Sequence, residues 1–109
     1  MQTLVPIGTF EDRTRALLGD LGFDQMLEFL AERPKVGRII QGTGGLRKVR
    51  IARPGSGKSG GTRVIYYYHS DQKPHLLLLI YAKAQQDNLT NVQKAKLKKY
   101  VDTIINEFT

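Results

Sequence analysis

The sequence predicts an α+β fold in which a small, largely antiparallel sheet carries helices on one side, in the order β-α-α-β-β-β-α. Three observations carry this reading. Residues 46–52 and 62–68 alternate apolar and polar side chains across a glycine-rich connection, as a hairpin does. The run Leu76 to Ala82 is continuously apolar and only seven residues long, which suits a strand buried on both faces. Finally, Phe23, Met26, Leu27 and Leu30 recur at helical spacing, so one face of that segment packs inward.

Each element follows in turn. Residues 3–8 form a short first strand. Thr9 with Asp12 three residues later marks a helix start, and that helix runs to about Leu18. Gly19 and Gly22 interrupt it, and a second helix reaches Arg33, because Pro34 cannot continue it. Gln41 to Leu46 is a flexible turn into the hairpin. Ser70, Asp71 and Pro74 mark a second turn before the apolar strand. Thr90 and Gln93 then form a capping box for a last helix ending near Phe108. Its predicted inner stripe is Leu97, Tyr100, Val101, Ile104 and Phe108.

A chain of 109 residues fits one domain, 1–109, with no linker or repeat. It has no cysteine, which excludes a disulfide framework, a thiolate nucleophile and Cys-ligated metal. No apolar run is long enough to span a bilayer, and the first ten residues lack the pattern of a signal peptide. A cytoplasmic protein without membrane contact is expected.

The formal net charge of +7 is unevenly spread. Residues 34–63 hold eight cations and no anion: Lys35, Arg38, Arg47, Lys48, Arg50, Arg53, Lys58 and Arg63. Such a stretch repels itself unless an anion shares the site, and nucleic acid is the usual one.

Strand parity sharpens this. In 46–52, Val49 and Ile51 are odd-numbered while Lys48 and Arg50 are even; in 62–68, Val64, Tyr66 and Tyr68 are even. Bringing the apolar sets together on one face requires paired residue numbers with an odd sum. The same register gathers Lys48, Arg50, Arg63 and Tyr67 on the opposite face. A cationic surface bearing an aromatic ring follows from the core pattern alone.

Competing motifs are weaker. Ala52 to Ser59 matches a relaxed phosphate-binding loop ending in Gly-Lys-Ser, but strand-like residues follow it where such a loop needs a helix. The segment is better read as a mobile loop whose Lys58 touches phosphate non-specifically, or equally as a plain hairpin loop. His69 and His75 flank a turn and are close enough in sequence to approach each other, yet without a carboxylate pair they make a poor metal site. No metal ligand set and no cofactor are expected, and chemistry here falls to Arg, Lys, Tyr or His.

The strings Gly42 to Arg50 (Gly-Thr-Gly-Gly-Leu-Arg-Lys-Val-Arg), Gly60 to Tyr68 (Gly-Gly-Thr-Arg-Val-Ile-Tyr-Tyr-Tyr) and Leu79 to Lys83 (Leu-Ile-Tyr-Ala-Lys) resemble the RelE superfamily of bacterial toxins. Within it they are most similar to HigB-type toxins of type II toxin–antitoxin modules. The likeness covers about Phe10 to Tyr100. It implies a RelE-like fold and a metal-independent mRNA interferase, a ribosome-dependent endoribonuclease cutting translated messenger in the A site. It also implies an antitoxin with a HigA-like helix-turn-helix domain, through which alone operator DNA is bound. By the same resemblance the catalytic positions fall on Lys48, Arg50, Arg63 and Lys83. Arg63 and Arg50 would clamp phosphate, with Lys48 as base or electrostatic support. Arg47, Arg53, Lys58 and Tyr67 are the expected RNA or ribosome contacts. The chain departs from RelE at Ala84, where an Arg is usual, and near Thr90, where a Tyr is usual; Tyr67 or His69 are the substitutes at hand. The alternatives are a ParE-like gyrase inhibitor and a non-catalytic RNA- or DNA-binding module.

Overall fold

The computed structural model describes residues 3–52 and 61–107. Strand β1 (Leu4–Pro6) precedes a long helix, α1 (Phe10–Glu32). Strands β2 (Arg38–Ile39), β3 (Leu46–Ile51), β4 (Thr62–Tyr67) and β5 (His75–Ala82) follow, then helix α2 (Asn91–Glu107). The five strands form one sheet in the order β1-β5-β4-β3-β2. Only β1 runs parallel to its neighbour, β5.

The two predicted N-terminal helices are consecutive segments of α1. Gly19 separates them with φ 77° and ψ 171°, outside helical geometry. Glycine adopts this conformation without the steric cost of a Cβ. Phe23, Met26 and Leu30 are buried and Leu27 partly so, as the spacing requires. The expected cap at Thr9 does not form, since its side chain makes no capping hydrogen bond. At α2 the box is complete: the Gln93 N–H donates to Thr90 Oγ1 (3.1 Å) and the Thr90 N–H donates to Gln93 Oε1 (3.0 Å). Tyr100 does not belong to the inner stripe of α2, being 45% exposed; Val101 is buried, and Leu97, Ile104 and Ile105 pack beside it. Phe108 lies outside the described residues.

The helices do not share one side of the sheet. Helix α1 covers Val49, Val64, Tyr66, Leu77 and Ile80, whereas α2 covers Leu46, Ile65, Leu76 and Leu78 from the other side. The reason lies in β5. Seven of its eight residues are buried, on both faces, so each face needs its own apolar cover. Strand β2, at the sheet edge, was not anticipated; its two residues are both exposed. No helix among the described residues is long and apolar enough to cross a membrane.

Candidate nucleic-acid interface

The β3–β4 register has the odd sum that the apolar pattern demands: Val49 pairs with Val64, Arg47 with Tyr66 and Arg50 with Arg63. Val49, Ile51, Val64 and Tyr66 therefore face α1. Lys48, Arg50, Arg63 and Tyr67 fall on the opposite face, together with Leu46 and Ile65.

Two further register facts assemble the site. Strand β2 places Arg38 opposite Lys48. Strand β4 places Arg63 opposite both Arg50 and Tyr81 of β5. Like charges stand directly opposite each other in two neighbouring pairs, Arg38–Lys48 and Arg50–Arg63. Such pairs are destabilising in a sheet by themselves. The register thus concentrates positive charge on one face of the sheet, the kind of surface an anion would relieve.

Lys83 joins this face through an irregularity. Between Ile65 and Tyr66 the β4–β5 register slips, so that Ile65 pairs with Leu79 but Tyr66 with Leu77. The extra residue in β5 reverses the parity beyond it. Ile80 turns to the α1 side, and Tyr81 turns to the side of Arg63. The Lys83 N–H then donates to the Gly61 carbonyl (3.0 Å), carrying the register one step past the strand. Its Nζ donates to the Asp87 carbonyl (3.0 Å) and lies 3.6 Å from Asp87 Oδ1.

Gly61 sits where these strands meet. Its φ is +67°, and a Cβ there would stand 3.3 Å from the Ile51 carbonyl and 3.5 Å from Arg50 Nε. The positive φ and the close Ile51 carbonyl, rather than Arg50, are what favour glycine here.

Tyr81 is a member of the site that sequence reasoning missed. It is 3% exposed, and its hydroxyl has no hydrogen-bond partner among the described residues. Burial raises its pKa, against the opposing pull of the Arg63 charge. A phenylalanine would fill the same space without stranding a polar atom, at a saving of about 1–3 kcal/mol. Arg38 was counted among the cations but not placed at the site.

Other predicted contacts stand elsewhere. Arg47 lies on the α1 side, where its guanidinium donates to the Lys35 carbonyl (3.2 Å) and the Gly37 carbonyl (2.8 Å). It serves the fold there. Tyr67 is four residues from Arg63 along β4, about 13 Å at ordinary strand rise. It packs in the α2 cluster, and its hydroxyl meets His69 Nδ1 at 3.2 Å. Burial, and after it the Asp102 charge, raises its pKa. Tyr67 and His69 are thus remote from the cation pairs, and Tyr81 is the aromatic hydroxyl beside them. The histidines do not approach each other: His69 stacks on Tyr67, whereas His75 is buried against Tyr68 on the other side of the sheet. Arg53 and Lys58 lie outside the described residues. The next described element is strand β4, not a helix, so the phosphate-loop reading has no helix terminus to work with.

A family model described as the RelE toxin of the RelE / RelB toxin-antitoxin system matches residues 24–107. The match takes in strands β2 to β5, helix α2 and every cation of the site. The resemblance read from the glycine-rich and basic strings is therefore correct at the level of the family. Five cations and a buried hydroxyl on one face, within a matched span covering well over half of the chain, lead to one conclusion: this chain belongs to the RelE toxin family, the toxin partner of an antitoxin in a toxin–antitoxin system.

Proposed function

We propose that this toxin is an endoribonuclease that cuts messenger RNA on the translating ribosome, in the A site, without a metal ion. The observation that carries the reading is the pair of like-charge couples, Arg38–Lys48 and Arg50–Arg63, on one face of a rigid sheet.

In this reaction the ribose 2′-oxygen attacks the adjacent phosphorus, and the bond from phosphorus to the 5′-oxygen of the next nucleotide breaks. The products are a 2′,3′-cyclic phosphate and a 5′-hydroxyl. One proton leaves the 2′-hydroxyl and one is delivered to the departing 5′-oxygen. The rate is limited by charge building on the phosphoryl oxygens. Arg50 and Arg63 stand opposite each other and present planar donors suited to two such oxygens. Lys48, one step along β3, acts as base or as electrostatic support. Lys83 flanks the other end of the row. Tyr81 stands opposite Arg63 in the register, and its buried hydroxyl lies on the same face of the sheet.

Within the family, the likeness is to HigB-type toxins, and the partner is a HigA-like antitoxin with a helix-turn-helix domain that carries the pair to operator DNA. Primer extension on a translated messenger tests the reaction. Wild-type toxin is expected to give ribosome-dependent cuts, and Arg63→Ala to reduce them by about 10²-fold or more with the thermal midpoint retained. Undiminished cutting by Arg63→Ala removes Arg63 from the mechanism. No cutting by the wild type points instead to gyrase inhibition or to simple nucleic-acid binding.

A further inference from the structure

Beside the Arg50–Arg63 pair lies a recess of about 270 Å³ lined by Val36, Arg38, Lys48, Val49, Arg50 and Arg63. It opens before β2 begins at Arg38, where the edge of β3 beyond Lys48 has no paired strand among the described residues.

Its outer wall, residues 34–38, is held from beneath the sheet. The Tyr66 hydroxyl donates to the Pro34 carbonyl (2.9 Å) and accepts from the Gly37 N–H (2.8 Å). Arg47 ties the carbonyls of Lys35 and Gly37. Gly37 makes this approach possible, since a Cβ there would meet the Tyr66 ring and hydroxyl at 2.8 Å. Tyr66 is 1% exposed, so the anchor belongs to the core. A wall fixed before any ligand arrives saves the cost of ordering it on binding.

The charges repeat along this recess. Arg38 and Lys48 form one row, Arg50 and Arg63 the next, and two residues of strand separate them, about 6.7 Å. This is near the separation of successive phosphates in an extended single strand. The polar side chains of the lining are all cations, which suit phosphate oxygens. Val36, 41% exposed, offers an apolar surface instead.

We propose that the outer part of the recess is a second phosphate subsite for single-stranded RNA: Arg38 holds the phosphate next to the scissile one, and Val36 contacts the intervening nucleoside, while Lys48 keeps its place at the scissile phosphate. The inference rests on the nuclease reading above and extends it to the substrate. The unit recognised is a stretch with two consecutive phosphates, and the subsite is tolerant of base identity because phosphate contacts carry no sequence information.

The test uses the full chain and a 2′-O-methyl trinucleotide, which cannot be cleaved, labelled for fluorescence anisotropy. Two derivatives each replace one of its two phosphates by a neutral methylphosphonate. Wild type is expected to bind each derivative about ten-fold more weakly than the parent. Arg38→Ala is expected to lose that discrimination at one phosphate and keep it at the other. The slope of log affinity against log salt should fall by about 0.7 in the same variant. Arg38 is exposed, so its loss should leave the thermal midpoint in place. The subsite is overturned if Arg38→Ala discriminates at both phosphates as wild type does, or if wild type discriminates at neither. The nuclease reading is judged separately by primer extension. Discrimination without cleavage sinks that reading alone, and cleavage without Arg38-dependent discrimination sinks the subsite alone.

Discussion

The two faces of the sheet are cut from the same strands and closed to very different degrees. On the α1 side, ten buried residues from α1 and strands β3, β4 and β5 form one cluster, and Leu30, Val64 and Ile80 have no exposure at all. On the α2 side the apolar cluster stops short of Lys48, Arg50 and Arg63, which stay partly or fully open to solvent. Helix α2 buries only Val101 among its described residues. The division of labour is physical. A sheet that sets like charges opposite each other must draw its stability from elsewhere, and the α1 face supplies it.

Substitutions can break or sharpen this contrast. The largest stability effect is expected on the closed face: Leu30→Ala should cost about 2–5 kcal/mol in denaturant unfolding, because it leaves a cavity in full contact with the core. Its activity per folded molecule should survive. On the half-open face, Val101→Ala removes two methylene equivalents and should cost about 1.6 kcal/mol in the same measurement. A larger loss there than at Leu30 would reverse the assignment of the stabilising face. Gly61→Ala probes the junction between stability and site. Its positive φ sets a cost of about 1–2 kcal/mol, and the added methyl would crowd the Ile51 carbonyl at 3.3 Å. Denaturant unfolding should show that loss, and primer extension should show cleavage lowered no further than the unfolded fraction explains.

The smallest effect is a pH slope. Burial holds the His75 imidazole below its ordinary value, against a weaker opposing pull from Asp71. The unfolded chain therefore takes up this proton near pH 6.5, and the folded chain only at lower pH. Stability is then level above about pH 6.5 and falls as the pH drops from there through the folded-state value. His75→Phe should flatten the fall in thermal midpoint between pH 7.5 and 5.5.

Much of this arrangement was legible in the residues. Parity alone gave the β3–β4 register and thus the union of Lys48, Arg50 and Arg63, because a one-residue slip would have exposed Val49 and Val64. The Thr90–Gln93 box and the break at Gly19 were equally readable. Three things were not. The slip in β5 falls within Leu76 to Leu79, where every side chain is leucine and no pattern marks the extra residue. Tyr81 was hidden for that reason, since its face depends on the slip. The Arg38 pairing rests on a strand of two residues, too short for any period to show. The carbonyl ties of Arg47 were the third, because they depend on how residues 34–38 fold back beside β3.

The sheet order has a consequence for how the toxin comes into being. Strand β1 is made first but pairs with β5, some seventy residues later, in the one parallel contact of the sheet. Contacts of such long sequence separation close slowly and only after their loop entropy has been met. As the chain emerges from the ribosome, the hairpin of β3 and β4 has both of its strands long before β1 has a partner. Tyr81 and Lys83 arrive at the far end of the same late strand. The protein thus acquires its complete cationic row and the pairing of β1 nearly together, both waiting on the same late strand.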